Sequence, residues 1–180
     1  MTRTETSSVF ATEDRARAAR VRLINSESLS ATTNIDASAE NIFVVLADPA
    51  QHAAIDGTGW VCEPVDSNPL TEAGQLFRMT MYHPNHPDGT YQTVNRIVIF
   101  DPPNAVAWEP GYDTDDGGLG FGGWVWRYDL MPTGPSETKV TITYDWSAVS
   151  DSVRKRIGFP PFPADHLSNS LAHLAELVSL

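Results

Sequence analysis

The second half of the chain constrains the fold most, because four β-patterned runs follow one another there and lead into one helix. The runs lie at Thr90 to Phe100, Ala105 to Glu109, Gly122 to Leu130 and Glu137 to Trp146. They are rich in β-branched and aromatic residues, and turns containing Pro and Gly separate them. Connections this short join antiparallel neighbours. The sequence therefore predicts an antiparallel meander.

The chain ends on an amphipathic pattern. From Ala164 onward, Leu167, Leu171, Leu174 and Val178 recur at spacings of 4, 3 and 4 residues, which is the period of a helix with one apolar face. A curled sheet closed by such a helix encloses an apolar space. We expect that space to be the functional part of the molecule.

The first half supplies the remaining elements. Ser28 to Ile35 is typical of a strand, and either Asp36 or Ser38 is suited to cap the helix that follows. A short second helix is predicted through His52 to Ile55. Two more strands are predicted after it, at Trp60 to Val65 and Gln75 to His83.

Several segments in this order resemble one known superfamily. They are IDASAENIFVVLADP (Ile35 to Pro49), RIVIFDPPNAVAW (Arg96 to Trp108), WRYDLMP (Trp126 to Pro132) and TKVTITYDWS (Thr138 to Ser147). Over roughly residues 28 to 180 the chain is similar to the SRPBCC superfamily, the START-like or helix-grip proteins that include polyketide cyclase/dehydrase and lipid-transport members. The resemblance implies an α+β helix-grip fold, in which a seven-stranded curved antiparallel sheet wraps around a long C-terminal helix, with two short helices after the first strand. It does not imply one activity.

Residues 1–27 precede the region of resemblance. Ala11 to Leu23 contains good helix formers, and Thr12 is suited to cap a helix there. Two interpretations stay open: a solvated tail, or a helix whose arginines lie on the acidic body of the same or a second protomer. The second would suit a homodimer.

Charge limits the possible partners. The chain has 23 acidic and 12 basic residues, a net charge of −11, and five of its arginines fall within the first 22 residues. An anionic body repels nucleic acid and anionic lipid surfaces, so we expect neither partner, and a neutral or weakly cationic ligand is easier to accept. No apolar run has the length of a membrane span and the N-terminus lacks a secretory core, which favours a cytoplasmic location.

Alternation along the strands predicts which side chains face the enclosed space. Phe77, Met79, Met81 and His83 form one such set. The full set of predicted ligand-binding residues is Trp60, Phe77, Met79, Met81, Asn95, Ile97, Trp108, Phe121, Trp124, Trp126, Tyr128, Tyr144, Leu167, Ser170, Leu171 and Leu174. This composition suits a flat hydrophobic or aromatic molecule.

Two loops are expected at the mouth of the cavity, His83 to Gly89 and Gly111 to Gly123. In the helix-grip plant hormone receptors, loops at similar positions act as a gate and a latch, and the resemblance extends that role to these loops. The glycines of the second loop would permit motion, with Leu119 and Phe121 covering an apolar ligand.

No metal or cofactor is expected. His83 and His86 have a His-x-x-His spacing, but prolines surround them and the sequence offers no third ligand. A Gly-x-Gly-x-x-Gly pattern at Gly118 to Gly123 precedes a strand instead of opening a helix, so it does not indicate a dinucleotide site.

Catalytic residues are not identified by any motif. Weak candidates for an acid or base are Tyr128, Tyr144, His83 and His166, although His166 lies near the polar edge of the helical stripe, where a solvated histidine is expected. The preferred hypothesis is binding of a small hydrophobic or aromatic molecule. A cyclase- or aromatase-like enzyme is the alternative, and a co-chaperone-like interaction module without ligand is the third.

Overall fold

The structure is a computed structural model that describes residues 19–25 and 27–179; the side chains of residues 21–25 are outside that description. Antiparallel strands dominate it. The strands are β1 (Arg20–Asn25), β2 (Ser28–Ile35), β3 (Val61–Pro64), β4 (Leu76–Tyr82), β5 (Thr90–Asp101), β6 (Ala105–Asp113), β7 (Leu119–Phe121), β8 (Val125–Gly134) and β9 (Glu137–Asp145).

One sheet contains all of these strands. Eight follow the order β1-β2-β9-β8-β6-β5-β4-β3, and the short β7 pairs with β6 outside that path. The meander from β4 to β9 is thus present. The expected count of seven strands is wrong, because β1 and β7 are added to the seven that the sequence indicated.

The β1 strand also corrects the expectation for the N-terminal segment. The prediction of a helix over Ala11 to Leu23 is wrong for its last residues, because Arg20–Asn25 is a strand that pairs antiparallel with β2. Arg, Val, Arg and Leu alternate at positions 20–23 with a period of two, which suits a strand better than a helix. Residues 1–18 lie outside the described residues, so the rest of that prediction is untested.

The helices are short except for the last. They are α1 (Ala39–Leu46), a 3-10 turn (Pro49–Gln51), α2 (His52–Ile55), α3 (Asp151–Arg154) and α4 (His166–Val178). The two helices expected after the first predicted strand correspond to α1 and α2. Of the two proposed caps for α1, Ser38 occupies the position, and its hydroxyl oxygen accepts a hydrogen bond from the Asn41 amide at 3.3 Å.

The core lies between one face of the sheet and the helices α1 and α4. The leucines of the α4 stripe are fully buried against inward-facing strand residues. A register shift in β5, between Ile97 and Ile99 opposite β6, marks a local irregularity of the kind that bends a strand. The α4 helix therefore packs on a large antiparallel sheet, as in the helix-grip arrangement.

Within residues 19–25 and 27–179, no helix has the length and apolar character needed to cross a membrane.

Candidate functional site

A cavity of about 820 Å³ opens between the inner face of the sheet and the start of α4. Ligand pockets commonly measure about 300–1,000 Å³. Its wall combines β4, β5, β6, β8 and β9 with α2, the α2–β3 connection and the first turns of α4. The space is thus large enough for a molecule of drug size.

Eleven of the predicted ligand-binding residues lie on this wall. They are Trp60, Phe77, Met79, Met81, Asn95, Trp108, Trp124, Trp126, Tyr128, Tyr144 and Ser170. Strand alternation explains the agreement for the residues that lie on strands, because side chains two residues apart share a face of the sheet.

Four other predicted residues face inward but do not line the cavity. Ile97, Leu167, Leu171 and Leu174 are at most 1% exposed and belong to the packed core. The inward-facing residues of α4 therefore lie in two different parts of the interior. Its leucines fill the closed end of the interior, whereas Ser170 and His166 reach the open end.

Phe121 is also misplaced by the sequence prediction. The glycine-rich segment from Gly111 to Gly123 is mostly a hairpin, in which Gly111 pairs with Phe121, and not an open flap. The guanidinium of Arg96 lies over the Phe121 ring, 4.1 Å from its centre, and also pairs with Glu109. The Arg96 guanidinium thus covers Phe121, which does not line the cavity, and Leu119 is 39% exposed.

The mouth of the cavity is bordered by two loops, beside Gly111 and Tyr112 from the start of the glycine-rich segment. One is the β4–β5 loop, which contributes His83, Asn85, His86 and Pro87, as expected for a loop in that position. The other is the connection between α3 and α4, whose residues 156–159, 161 and 162 line the cavity. No sequence pattern indicated this second segment, because a run of prolines and phenylalanines has neither helical nor strand periodicity.

Aromatic rings cluster around Trp126. Its ring centre lies 4.5 Å from that of Tyr144, 5.4 Å from that of Phe162 and 5.3 Å from that of His166. Such rings offer faces and edges to a flat ligand. The aromatic character that the sequence suggested for the cavity is therefore concentrated beside the start of α4.

A second ring cluster includes His52, which the sequence analysis did not single out. Its ring stacks on Trp108 with centres 5.2 Å apart, and its Nε2 donates a hydrogen bond of 2.9 Å to the carbonyl oxygen of Leu46. Burial lowers the pKa of His52, because desolvation disfavours the imidazolium form. His52 is therefore a neutral part of the wall.

A buried carboxylate and a buried imidazole form a polar point on the wall. Asp56 Oδ1 lies 3.8 Å from Nδ1 of His166, and their side chains are 5% and 8% exposed. Nδ1 is buried and has no hydrogen-bond partner among the described residues. Burial lowers the pKa of His166, while the charge of Asp56 acts in the opposite direction. His166 is thus not the solvated histidine that the sequence indicated.

Hydrogen bonds from the α2–β3 connection and the start of β3 hold the Asp56 side chain in place. Its Oδ2 accepts hydrogen bonds from the Thr58 hydroxyl at 2.8 Å, from the Trp60 amide at 2.8 Å and from the Val61 amide at 3.1 Å. The connection is held on α4, since the Gly57 amide donates to Ser170 Oγ at 3.0 Å. The carboxylate is therefore built into the site, although no sequence motif indicated it.

Tyr128 and Tyr144 remain phenols over the physiological range. Burial raises the pKa of both hydroxyls, and the negative charge of Asp56 adds to the effect at Tyr128. Both residues line the cavity. Each is thus suited to donate a hydrogen bond to a bound molecule but not to act as a base.

His83 and His86 have local partners. The Nδ1 of His83 accepts a hydrogen bond from the Asn85 amide at 3.1 Å, and that of His86 accepts one from the Asp88 amide at 3.3 Å. In the part of the chain that the structure describes, no three His, Cys, Asp or Glu side chains are grouped to hold a metal ion. The two histidines shape the loop at the mouth.

Comparison with known proteins supports the fold. No protein-family profile matches the chain. The uncharacterized protein Rv0088 of Mycobacterium tuberculosis is 24% identical over 152 residues, which are 84% of this chain and 62% of that protein. This chain thus spans about three fifths of the length of that relative.

Solved structures with the same architecture show the fold and no more. Protein Ms6760 from Mycobacterium smegmatis superimposes with a TM-score of 0.61 and 18% identity, covering 89% of this chain and 96% of that one. Norcoclaurine synthase from Thalictrum flavum, solved with dopamine and hydroxybenzaldehyde, gives a TM-score of 0.56 and 12% identity, covering 98% and 97%. The similarity to both is consistent with a helix-grip fold.

Proposed function

We propose that this protein binds a small hydrophobic or aromatic molecule in the cavity between the sheet and α4. The observation that carries the proposal is the space of about 820 Å³ lined by tryptophan, tyrosine, phenylalanine and methionine side chains. Filling such a space with apolar side chains would stabilise the fold through additional van der Waals contacts. The open cavity is instead consistent with binding of a ligand in that space.

The comparisons are compatible with this role. Norcoclaurine synthase holds two small aromatic molecules in a structure of similar architecture. The third hypothesis, an interaction module without ligand, has less support, since it gives no reason for a cavity whose wall is aromatic and whose polar groups converge.

A cyclase- or aromatase-like enzyme remains the second candidate. It needs an acid or a base that faces the bound molecule, and His166 and Tyr128 line the cavity beside Asp56. His166 has the neutral imidazole that a base requires, and Tyr128 has the protonated hydroxyl that a donor requires. Binding is the function common to both candidates, so it is the property to test first.

The binding proposal is tested with a neutral fluorescent probe, N-phenyl-1-naphthylamine. We expect saturable fluorescence enhancement with one site per chain. Met81→Trp places a large ring in the cavity and should weaken the affinity by about tenfold, because the probe and the new ring compete for one volume. The matched control is Met131→Trp, at a position that is 51% exposed on β8, and it should leave the affinity unchanged.

Two results would contradict the proposal. One is enhancement that does not saturate, which indicates nonspecific adsorption. The other is equal affinity in the Met81→Trp variant and the wild-type protein, provided that the variant keeps its thermal transition.

A further inference from the structure

Among the described residues, none supplies a full counter-charge to the carboxylate of Asp56. Its side chain is 5% exposed, and among the ion pairs of the described residues its only partner is His166, at 3.8 Å. That distance exceeds a normal hydrogen bond. Burial lowers the pKa of His166, so this partner is mainly neutral at pH 7.5. Burying a carboxylate without a cation is strongly unfavourable.

The carboxylate has one oxygen to spare. Oδ2 is occupied by the three donors from Thr58, Trp60 and Val61. Oδ1 is the atom that faces His166. Since Asp56 belongs to the cavity wall, this end of the carboxylate is placed to accept a hydrogen bond from a bound molecule.

The surroundings of Asp56 favour a cation. Trp60, Trp126 and Tyr128 line the same cavity, and the faces of aromatic rings attract positively charged groups. The net charge of −11 adds a long-range attraction for cations. The one lining residue with a permanent positive charge, Arg156, is exposed and belongs to the segment at the mouth.

We infer that Asp56 is the recognition site for a protonated amine, and that the ligand of this cavity is an aromatic molecule carrying such a group. The ammonium donates to Asp56 Oδ1, and the aromatic body lies among the rings around Trp126. The buried Nδ1 of His166 has no hydrogen-bond partner within residues 19–25 and 27–179, which independently suggests that a bound molecule completes this point of the wall. The inference rests on the proposed function, because it assigns the ligand of the same cavity.

Three probes of nearly equal shape test the charge preference. They are 2-(2-naphthyl)ethylamine, 2-(2-naphthyl)ethanol and the carboxylate naphthalene-2-acetate, and each is titrated by calorimetry at pH 7.5. We expect the amine to bind at least about tenfold more tightly than the alcohol, because the ammonium adds a full positive charge to the hydrogen bond that either group can donate to the carboxylate. The carboxylate should bind most weakly, since Asp56 repels it.

Asp56→Asn locates the preference. This change removes the charge but keeps an oxygen that can accept from the Trp60 and Val61 amides. It should bring the affinity for the amine to within about threefold of that for the alcohol, with most of the change in the affinity for the amine. The control is Asp101→Asn, which removes the same charge from the exposed end of β5 and should alter neither affinity.

Each outcome decides one question. An amine that binds no more tightly than the alcohol, or a carboxylate that binds best, overturns the inference and leaves the cavity as a binding site. Failure of all three probes, together with failure of the neutral fluorescent probe, overturns the proposed function itself. If Asp56→Asn does not fold, the comparison on the wild-type protein still decides, because it needs no variant.

Discussion

His52 shows how one buried side chain makes stability depend on pH. In the folded protein its pKa is lowered by burial, so the unfolded chain, with a histidine pKa of about 6.5, takes up a proton that the folded chain excludes. The contribution of His52 to the free energy of unfolding is therefore fully present above the unfolded pKa of about 6.5, and it is lost as the pH falls below that value. His166 acts in the same direction, because burial lowers its pKa as well.

We therefore expect the free energy of unfolding to fall between pH 7 and pH 5.5, with a slope of up to about 1.4 kcal/mol per pH unit for each of the two histidines. Urea unfolding at several pH values measures this slope. His52→Gln keeps a donor for the Leu46 carbonyl and should reduce the slope. An unchanged slope in His52→Gln would show that His52 is not the titrating group.

The docking of the α2–β3 connection on α4 is the contact between elements on which the site depends. A Cβ atom at Gly57 would lie 2.3 Å from the carbonyl oxygen of His166 and 2.9 Å from the amide of Ser170. Only glycine lets the two backbones approach this closely. This approach is what brings Asp56 next to His166.

Gly57→Ala should accordingly destabilise the protein by about 1–3 kcal/mol, because backbone atoms of a helix cannot move away as a flexible side chain would. Chemical denaturation measures the loss. Gly158→Ala is the matched control, since nothing lies within 4 Å of its Cβ position. If Gly57→Ala is as stable as the wild-type protein, the close approach of the connection to α4 is not present in solution.

The interior of the whole molecule has a packed end and a hollow end. Leu171 is fully buried in the packed end, while Met81 lies on the cavity wall. Leu171→Ala should reduce the free energy of unfolding by about 2–5 kcal/mol, because it leaves a void in a close-packed region. Met81→Ala should reduce it by about 1 kcal/mol, since that side chain already borders open space.

The comparison of these two variants by urea unfolding reports on the cavity itself. Equal losses at the two positions would mean that the hollow end closes in solution. We also expect Leu171→Ala to leave the affinity for the neutral probe unchanged, which separates core packing from ligand contact.

Most of the fold could be predicted from the sequence, and the reason is periodicity. Phe77, Met79 and Met81 alternate with outward residues, and this pattern placed all three on the inner face of the sheet, where they line the cavity. The C-terminal stripe likewise predicted a helix packed on the sheet. The short strands β1 and β7 were missed, because each is flanked by segments whose composition suggests a helix or a flexible loop.

Sequence by itself determined which side chains point into the molecule, because a strand or a helix repeats its orientation at a fixed interval. Tertiary structure decided what those side chains meet inside. Leu171 and Trp126 are both inward residues, but one packs against other side chains and the other faces open space. Asp56 and His166 lie far apart in the chain and meet only because Gly57 allows the connection to rest on α4. Such a meeting depends on packing between elements, which the pattern within one element does not contain.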